Sequence, residues 1–205
     1  MKNILLVLLI ALGLSLCNLS ERFKRSSSSG QSASGGSSRS VETANPTAEQ
    51  TAALAGGQEV KWDKQGMSWT IPPGWTEETN ESKMFVMRSP GGGNAASLLV
   101  NISPMDADFP ADTSIQAFFD GAESRAKNGE VDEVKWVQID GLKGVQFREA
   151  IPEKPDGHRR LQWMAYRKYT GQLQFVNVML ASEGKDFERH KNAMYGILYS
   201  MKVAH

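Results

Sequence analysis

Chemistry in this chain would have to be built from few residues: His158, His190 and His205, the single cysteine Cys17, and the glycine run at 91–93. Gly91-Gly92-Gly93 is the nearest thing to a phosphate loop, but a P-loop needs Lys-Ser/Thr after its last glycine and a helix behind it. Asn94-Ala95-Ala96 leads into a strand-like run instead, so a hairpin turn is expected. Asp106, Asp108 and Asp112 have neither the sixth-position glycine nor the twelfth-position glutamate of an EF-hand calcium loop, and Asp112 stands where it can cap a following helix. His158-Arg159-Arg160 is the one basic cluster, and it would suit an anion. Glu153 and Asp156 beside it cancel the charge, so a solvated hairpin end is expected. His190 falls on or beside the apolar stripe of the last helix and is expected to be structural. No serine sits in a Gly-x-Ser-x-Gly elbow, and no cysteine lies beyond position 17 to act as a nucleophile. The expectation is therefore no catalytic residue, no cofactor and no metal.

Whole-chain composition narrows the classes further. Lysine plus arginine and aspartate plus glutamate each number 23 in 205 residues, which argues against nucleic acid, whose binders carry an excess of cations. One cysteine excludes an internal disulfide framework and a multi-cysteine zinc site.

That cysteine closes an uncharged run of 13 residues, Ile4–Leu16, preceded by Lys2. As a helix this run spans roughly 20 Å, short of the ~30 Å hydrocarbon layer, so its length is that of a signal-peptide core. Leu14-Ser15-Leu16-Cys17 resembles the bacterial lipoprotein box, with Leu16 departing from the small residue usual before the cysteine. The resemblance implies cleavage and lipid attachment at Cys17, and firm anchoring takes two or more acyl signals. Serine and glycine supply 12 of the 15 residues from Ser26 to Ser40, a composition that cannot bury apolar surface. Residues 41–57 add at most a helical turn around Ala48–Leu54. The domain organisation read from these shifts is a signal peptide at 1–17, a tether at 18–57 reaching about 35 Å, and one globular domain at 58–205 that holds all five tryptophans.

Within that domain, Met67–Ile71 alternates as a half-buried strand and stops at Pro72-Pro73-Gly74. Lys83–Arg88 and Ala96–Ser103 form a hairpin across the glycines. Thr113-Ser114-Ile115-Gln116 fits a capping box for a helix whose stripe is Ile115, Phe118, Phe119, Ala122 and Ala126, ended by Asn128-Gly129. Val131–Ile139 and Leu142–Ile151 flank Asp140-Gly141, a type I′ signal, and Arg159–Tyr169 and Gln172–Ala181 flank Thr170-Gly171. Both of the latter strands are apolar on both faces, so both faces need cover. A final helix ends at Tyr199 and buries Phe187, Met194, Ile197, Leu198 and Met201, with a short terminal strand after it. The five tryptophans are expected mainly to fill the core. The order argues for an α+β domain with a mainly antiparallel sheet of about seven strands and two main helices.

The run Met67-Ser68-Trp69-Thr70-Ile71-Pro72-Pro73-Gly74-Trp75, the hairpin and helix after it, Ile139-Asp140-Gly141, the strands around Trp163 and Phe175, and the closing Ile197–Met201 together resemble the Mog1/PsbP-like domains, including bacterial lipoproteins of that type. The resemblance spans about Gln58 to Val203. It implies an α/β/α sandwich and a role as a binding or assembly factor, as in a Ran-binding protein and an extrinsic photosystem subunit, and it carries over no site residue. These readings predict an exported, lipid-anchored, non-catalytic protein on the periplasmic or outer side of a bacterial membrane that docks another protein. The alternative is a small-ligand carrier with a pocket between sheet and helix. A flat apolar patch favours docking, a deep cavity lined by Trp163 or Tyr166 favours the carrier, and a carboxylate–histidine pair in a cleft would favour an enzyme.

Overall fold

The computed structural model describes residues 40–154 and 156–205, with the backbone alone of Asn94. Cys17, the apolar run before it and the tether as far as residue 39 lie outside the described residues.

Among the described residues eleven strands and three α-helices follow in chain order. They are β1 (Glu42–Thr43), α1 (Ala48–Ala53), β2 (Gln58–Trp62), β3 (Met67–Ile71), β4 (Thr76–Asn80), β5 (Met84–Arg88), β6 (Ser97–Pro104), α2 (Ala111–Lys127), β7 (Val131–Ile139), β8 (Leu142–Glu149), β9 (His158–Tyr169), β10 (Gln172–Glu183), α3 (Gly184–Tyr199) and β11 (Lys202–Val203). The main sheet has eight strands in the order β1-β7-β8-β9-β10-β6-β5-β4, and β11-β3-β2 form a smaller sheet. Every pairing is antiparallel except that of β1 with β7. The expected hairpins form at the expected places, and Asp140-Gly141 takes the two positive φ angles (48° and 87°) that a type I′ turn requires. Thr170-Gly171 repeats this geometry, with a β-branched residue at φ 49°.

Side-chain alternation divides the sheet into two faces. On one, Val137, Ile139, Leu161, Trp163, Ala165, Val176, Val178, Leu180, Phe85, Leu98 and Val100 meet the smaller sheet (Trp62, Met67, Trp69, Ile71) and Phe187, Met194, Ile197 and Leu198 of α3. Trp163 lies flat in this layer because Gly144 on β8 has no Cβ; one would sit 2.6 Å from the indole. On the opposite face Phe119 and Ala122 of α2 pack on Trp136, Val145, Phe147 and Met164. The layers are α/β/α, as expected, with more strands than the seven foreseen and a third, short helix.

Two expectations need correction. The helix α2 starts at Ala111, with Pro110 as N-cap and no side-chain cap, so Thr113 and Asp112 lie inside its first turn. A proline with fixed φ just before the helix sets its start, and the polar residues after it need not cap. Secondly, ordered chain reaches well before Gln58. Glu42-Thr43 pair in parallel with Val137-Gln138, and α1 opens on a complete capping box, Thr47 Oγ1 accepting from the Gln50 N–H and Gln50 Oε1 accepting from the Thr47 N–H. Residues 42–54 therefore belong to the globular unit.

Candidate functional site

Two regions of the sheet surface carry polar or exposed side chains that the apolar layers do not account for. The first is a cleft of about 300 Å³ at the β7–β8 end, between the sheet, α3 and the segment 42–50. Its floor is built where the inward positions of β7 and β8 change from apolar to charged: Glu133 and Lys135 on β7, Arg148 on β8. Glu133 Oε1 accepts from Gln146 Nε2 at 2.7 Å and from the Tyr195 hydroxyl at 2.9 Å. Arg148 Nη1 is 3.5 Å from the other Glu133 oxygen and donates to the Tyr195 oxygen at 3.1 Å, while its Nε donates to Asp132 at 2.7 Å. Lys135 Nζ lies 3.0 Å from Glu42, which comes from β1, and 3.8 Å from Glu133.

Burial works against the charge on Lys135, but Tyr199, Glu133 and Glu42 outweigh it and hold its pKa above the ordinary lysine value. Burial and the Glu133 carboxylate push the Tyr195 phenol well up, and burial raises Tyr199 as well. Both phenols are therefore neutral at physiological pH, and Tyr195 donates to Glu133. The cleft presents charged groups and phenol hydroxyls that can hold a polar ligand.

The second region is the half of the α2-side face that α2 leaves uncovered. Val86, Leu99, Met179 and Gln162 stand in one row across β5, β6, β10 and β9, with Met84, Asn101 and Asn177 in the next and Arg88, Ser97, Ala181 and Arg160 on the other side. All but Arg88 and Arg160 are half-buried, and Gln162 donates to Asn177 at 2.7 Å. A shallow depression here, bounded by Ser97, His158, Arg160, Met179 and Ala181, remains open to solvent. Where α2 does lie over the sheet, a third cleft of about 380 Å³ opens beside its first turn, lined by Ile115, Trp136, Leu142, Lys143 and Tyr166. In it the Lys143 ammonium lies 4.1 Å over the Trp136 ring, whose other face stacks on Phe119.

The residues singled out by sequence scatter. His158 is exposed, His190 on α3 is half-buried with its Nε2 3.3 Å from an Arg189 nitrogen, and His205 Nδ1 lies 2.8 Å from the Val203 carbonyl. Asp106 and Asp108 are exposed before α2, and the glycines make a hairpin turn. Among the described residues no three histidine, cysteine or acidic side chains gather as a metal site would. All five tryptophans are buried, and Trp163 is fully enclosed in the main core. The basic cluster departs from expectation: Arg159 is only 3% exposed, its guanidinium bonded to Asp132, to Glu188 at 2.8 Å and to the Glu149 carbonyl, and it stacks over Phe187 at 4.4 Å. Arg160 pairs with Glu149. The cluster is an internal brace between β9, β8 and α3. The cleft residues were missed, although their one signal is visible in sequence: polar residues at 133, 135, 146 and 148 on the inward register of two adjacent strands.

No protein-family model matches the chain, and no curated protein matches it in sequence. Among solved structures it is similar to LpqN, involved in cell envelope biogenesis of Mycobacterium tuberculosis, at 10% identity and a TM-score of 0.54 over 73% of this chain and 91% of that one. It is also similar to cyanobacterial PsbP from Synechocystis (15% identity, TM-score 0.47, 72% and 92% covered) and to the Saccharomyces cerevisiae Ran-binding protein Mog1p (13%, 0.41, 72% and 95%). The fold is shared with LpqN. At these identities the likeness is one of architecture alone. The sheet carries its charged cleft on one flank and its uncovered face on the other. No helix among the described residues is long and apolar enough to cross a membrane.

Proposed function

We propose that this chain is an exported protein, lipid-anchored at Cys17, whose Mog1/PsbP-like domain docks another protein and performs no chemistry. The observation that carries the docking reading is the uncovered half of the sheet: a row of Val86, Leu99 and Met179, interleaved with Asn101, Asn177 and Gln162, that no helix among the described residues packs against. Methionine and amide side chains on a near-flat, neutral surface suit a partner face that is itself amphipathic and uncharged. The placement outside the cytoplasm rests on the Ile4–Cys17 segment, and the link of LpqN to the cell envelope agrees with it. The carrier alternative has the cleft beside Trp136 and Tyr166 in its favour. That cleft is open at the sheet surface and partly filled by Lys143, whereas a carrier encloses its ligand.

The test places a photo-crosslinking amino acid at Leu99 or Met179, with Glu123 on α2 as control, in the full chain with its native N-terminus. One discrete protein product from 99 and 179, absent from 123 and lost in Met179→Asp, is expected. Equal products from all three positions, or none from the sheet, rejects docking at this face. Cys17→Ser is expected to abolish acyl labelling and release the protein from membranes. Unchanged membrane retention rejects the lipid anchor without touching the docking result.

A further inference from the structure

The segment 42–54 runs across the cleft as a strap. At one end Glu42-Thr43 add to the free edge of β7, the Ala44 N–H donates to the Gln138 carbonyl at 2.8 Å, and the Glu42 carboxylate lies 3.0 Å from Lys135. At the other end α1 lies over α3 at Gly196, where a Cβ would meet the Gln50 carbonyl at 2.8 Å. Its grip is slight. Both β1 residues are exposed, the six residues of α1 include none that is buried, and only Ala44 and Leu54 pack, half-buried, on the main core. Beneath it the floor is the opposite: Arg148 is 16% exposed, Tyr195 is 5% exposed, and Glu133 is fixed by three donors.

We propose that the β7 edge and this cleft form a docking site for an extended acidic peptide of a partner protein, and that the strap occupies it as an internal competitor. The charge accounting favours such an occupant. Glu133 is already engaged by Gln146, Tyr195 and Arg148, so it offers little to a cationic ligand. Glu42 is the one carboxylate of the lining supplied by the strap; without it Arg148 stays on Asp132 and Lys191 on Glu188, while Lys135 keeps only Glu133 at 3.8 Å and is left to take a new carboxylate. The strand edge of β7 and the ammonium of Lys135 beside it bind an acidic strand by main-chain hydrogen bonds plus a carboxylate on Lys135, which is what residues 42–44 do in cis. A segment covalently held at high local concentration needs only a weak hold to keep the site closed, and a partner peptide binds once the strap is out.

The probe is a fluorescent peptide with the sequence of residues 40–47, titrated by anisotropy into the full chain. The variant Glu42→Ala/Ala44→Pro removes the carboxylate and the ladder donor of the strap and leaves β7 and the residues of the cleft floor unchanged. It is expected to bind the peptide at least tenfold more tightly than the unmodified chain. Adding Lys135→Glu to that variant is expected to reverse the gain at least tenfold, and a peptide with lysine in place of its glutamate is expected to restore binding to it. Equal affinity of the released and unmodified chains, or binding indifferent to Lys135, overturns the proposal. Since the probe never touches Leu99 or Met179, this result stands apart from docking at the uncovered face.

Discussion

The two flanks of one sheet have been treated differently. At the β7–β8 end both faces are covered, by α2 on one side and by α3 with the strap on the other, and inward charges are allowed because each is bonded: Glu133 to Gln146 and Tyr195, Arg148 to Asp132, Arg159 to Asp132 and Glu188. At the β10–β6–β5 end the described residues cover only one face, and the other shows neutral methionine, leucine and amide side chains. A buried charge is tolerated only when paired, whereas a half-exposed methionine costs little by itself. The covered flank therefore holds the fold, and the uncovered flank is free to change with a partner.

This contrast is broken most directly in the α2 layer. Trp136 is 6% exposed and sandwiched between Phe119 and Lys143. Trp136→Ala is expected to lower unfolding free energy by about 4 kcal/mol, since the large cavity cannot fully collapse, measured by urea titration. Arg159→Met comes next, at about 3 kcal/mol, because it keeps the packing on Phe187 while leaving Asp132 and the Glu149 carbonyl short of a donor. A loss under about 1 kcal/mol there would mean that Asp132, one-third exposed, is satisfied by water and that the brace is dispensable.

The hairpins, α3 and the two-faced central strands were legible because periodicity and positive-φ turn residues are local signals, as Asp140-Gly141 and the Phe187–Met201 stripe demonstrate. The strap was not. Its signature, Thr47-x-x-Gln50, is the same capping pattern that was credited to Thr113-x-x-Gln116, but it stands in a segment too short and too polar to suggest packing. What orders it is a strand edge and a glycine, at Gln138 and Gly196, far along the chain. The cleft was illegible for the same reason: its charges come from β7, β8, α3 and the strap, and only the fold brings them together. Strands β2 and β4 escaped because Gln58–Trp62 and Thr76–Asn80 are edge strands rich in polar residues, with little apolar alternation to read.

A smaller effect links the tip of the β7–β8 hairpin to the chain end. Burial alone would raise the Asp140 carboxyl, but the Val203 N–H at 2.8 Å and Lys202 at 3.3 Å outweigh it, and its pKa lies below the ordinary aspartate value. The folded state thus binds the proton less readily than the unfolded one, so this contribution is complete above the unfolded pKa and fades as pH falls through the lower, folded one. Asparagine also tolerates the left-handed conformation at position 140, so Asp140→Asn removes the charge without straining the turn. The variant is expected to be less stable than the parent at pH 7 and to converge with it near pH 2; a constant difference across that range would place the effect in the turn and not in the carboxylate.

The least expected loss of stability lies on the uncovered flank and is the sharpest form of the comparison. Leu99 is half-buried between Val86 and Met179, with no helix of the described residues above it. Replacing it by asparagine leaves a side chain of similar size beside Asn101 and Gln162, already amides, so no charge and little cavity is introduced. The change is expected to cost about 1 kcal/mol or less in urea unfolding, against the several lost at Trp136. Partner crosslinking through position 179 is expected to fall at least tenfold in the same variant, because an interface core needs its apolar row intact even where the monomer does not. If Leu99→Asn unfolds the protein as readily as Trp136→Ala, this face is load already carried by the fold, and the partner must be sought at the cleft instead.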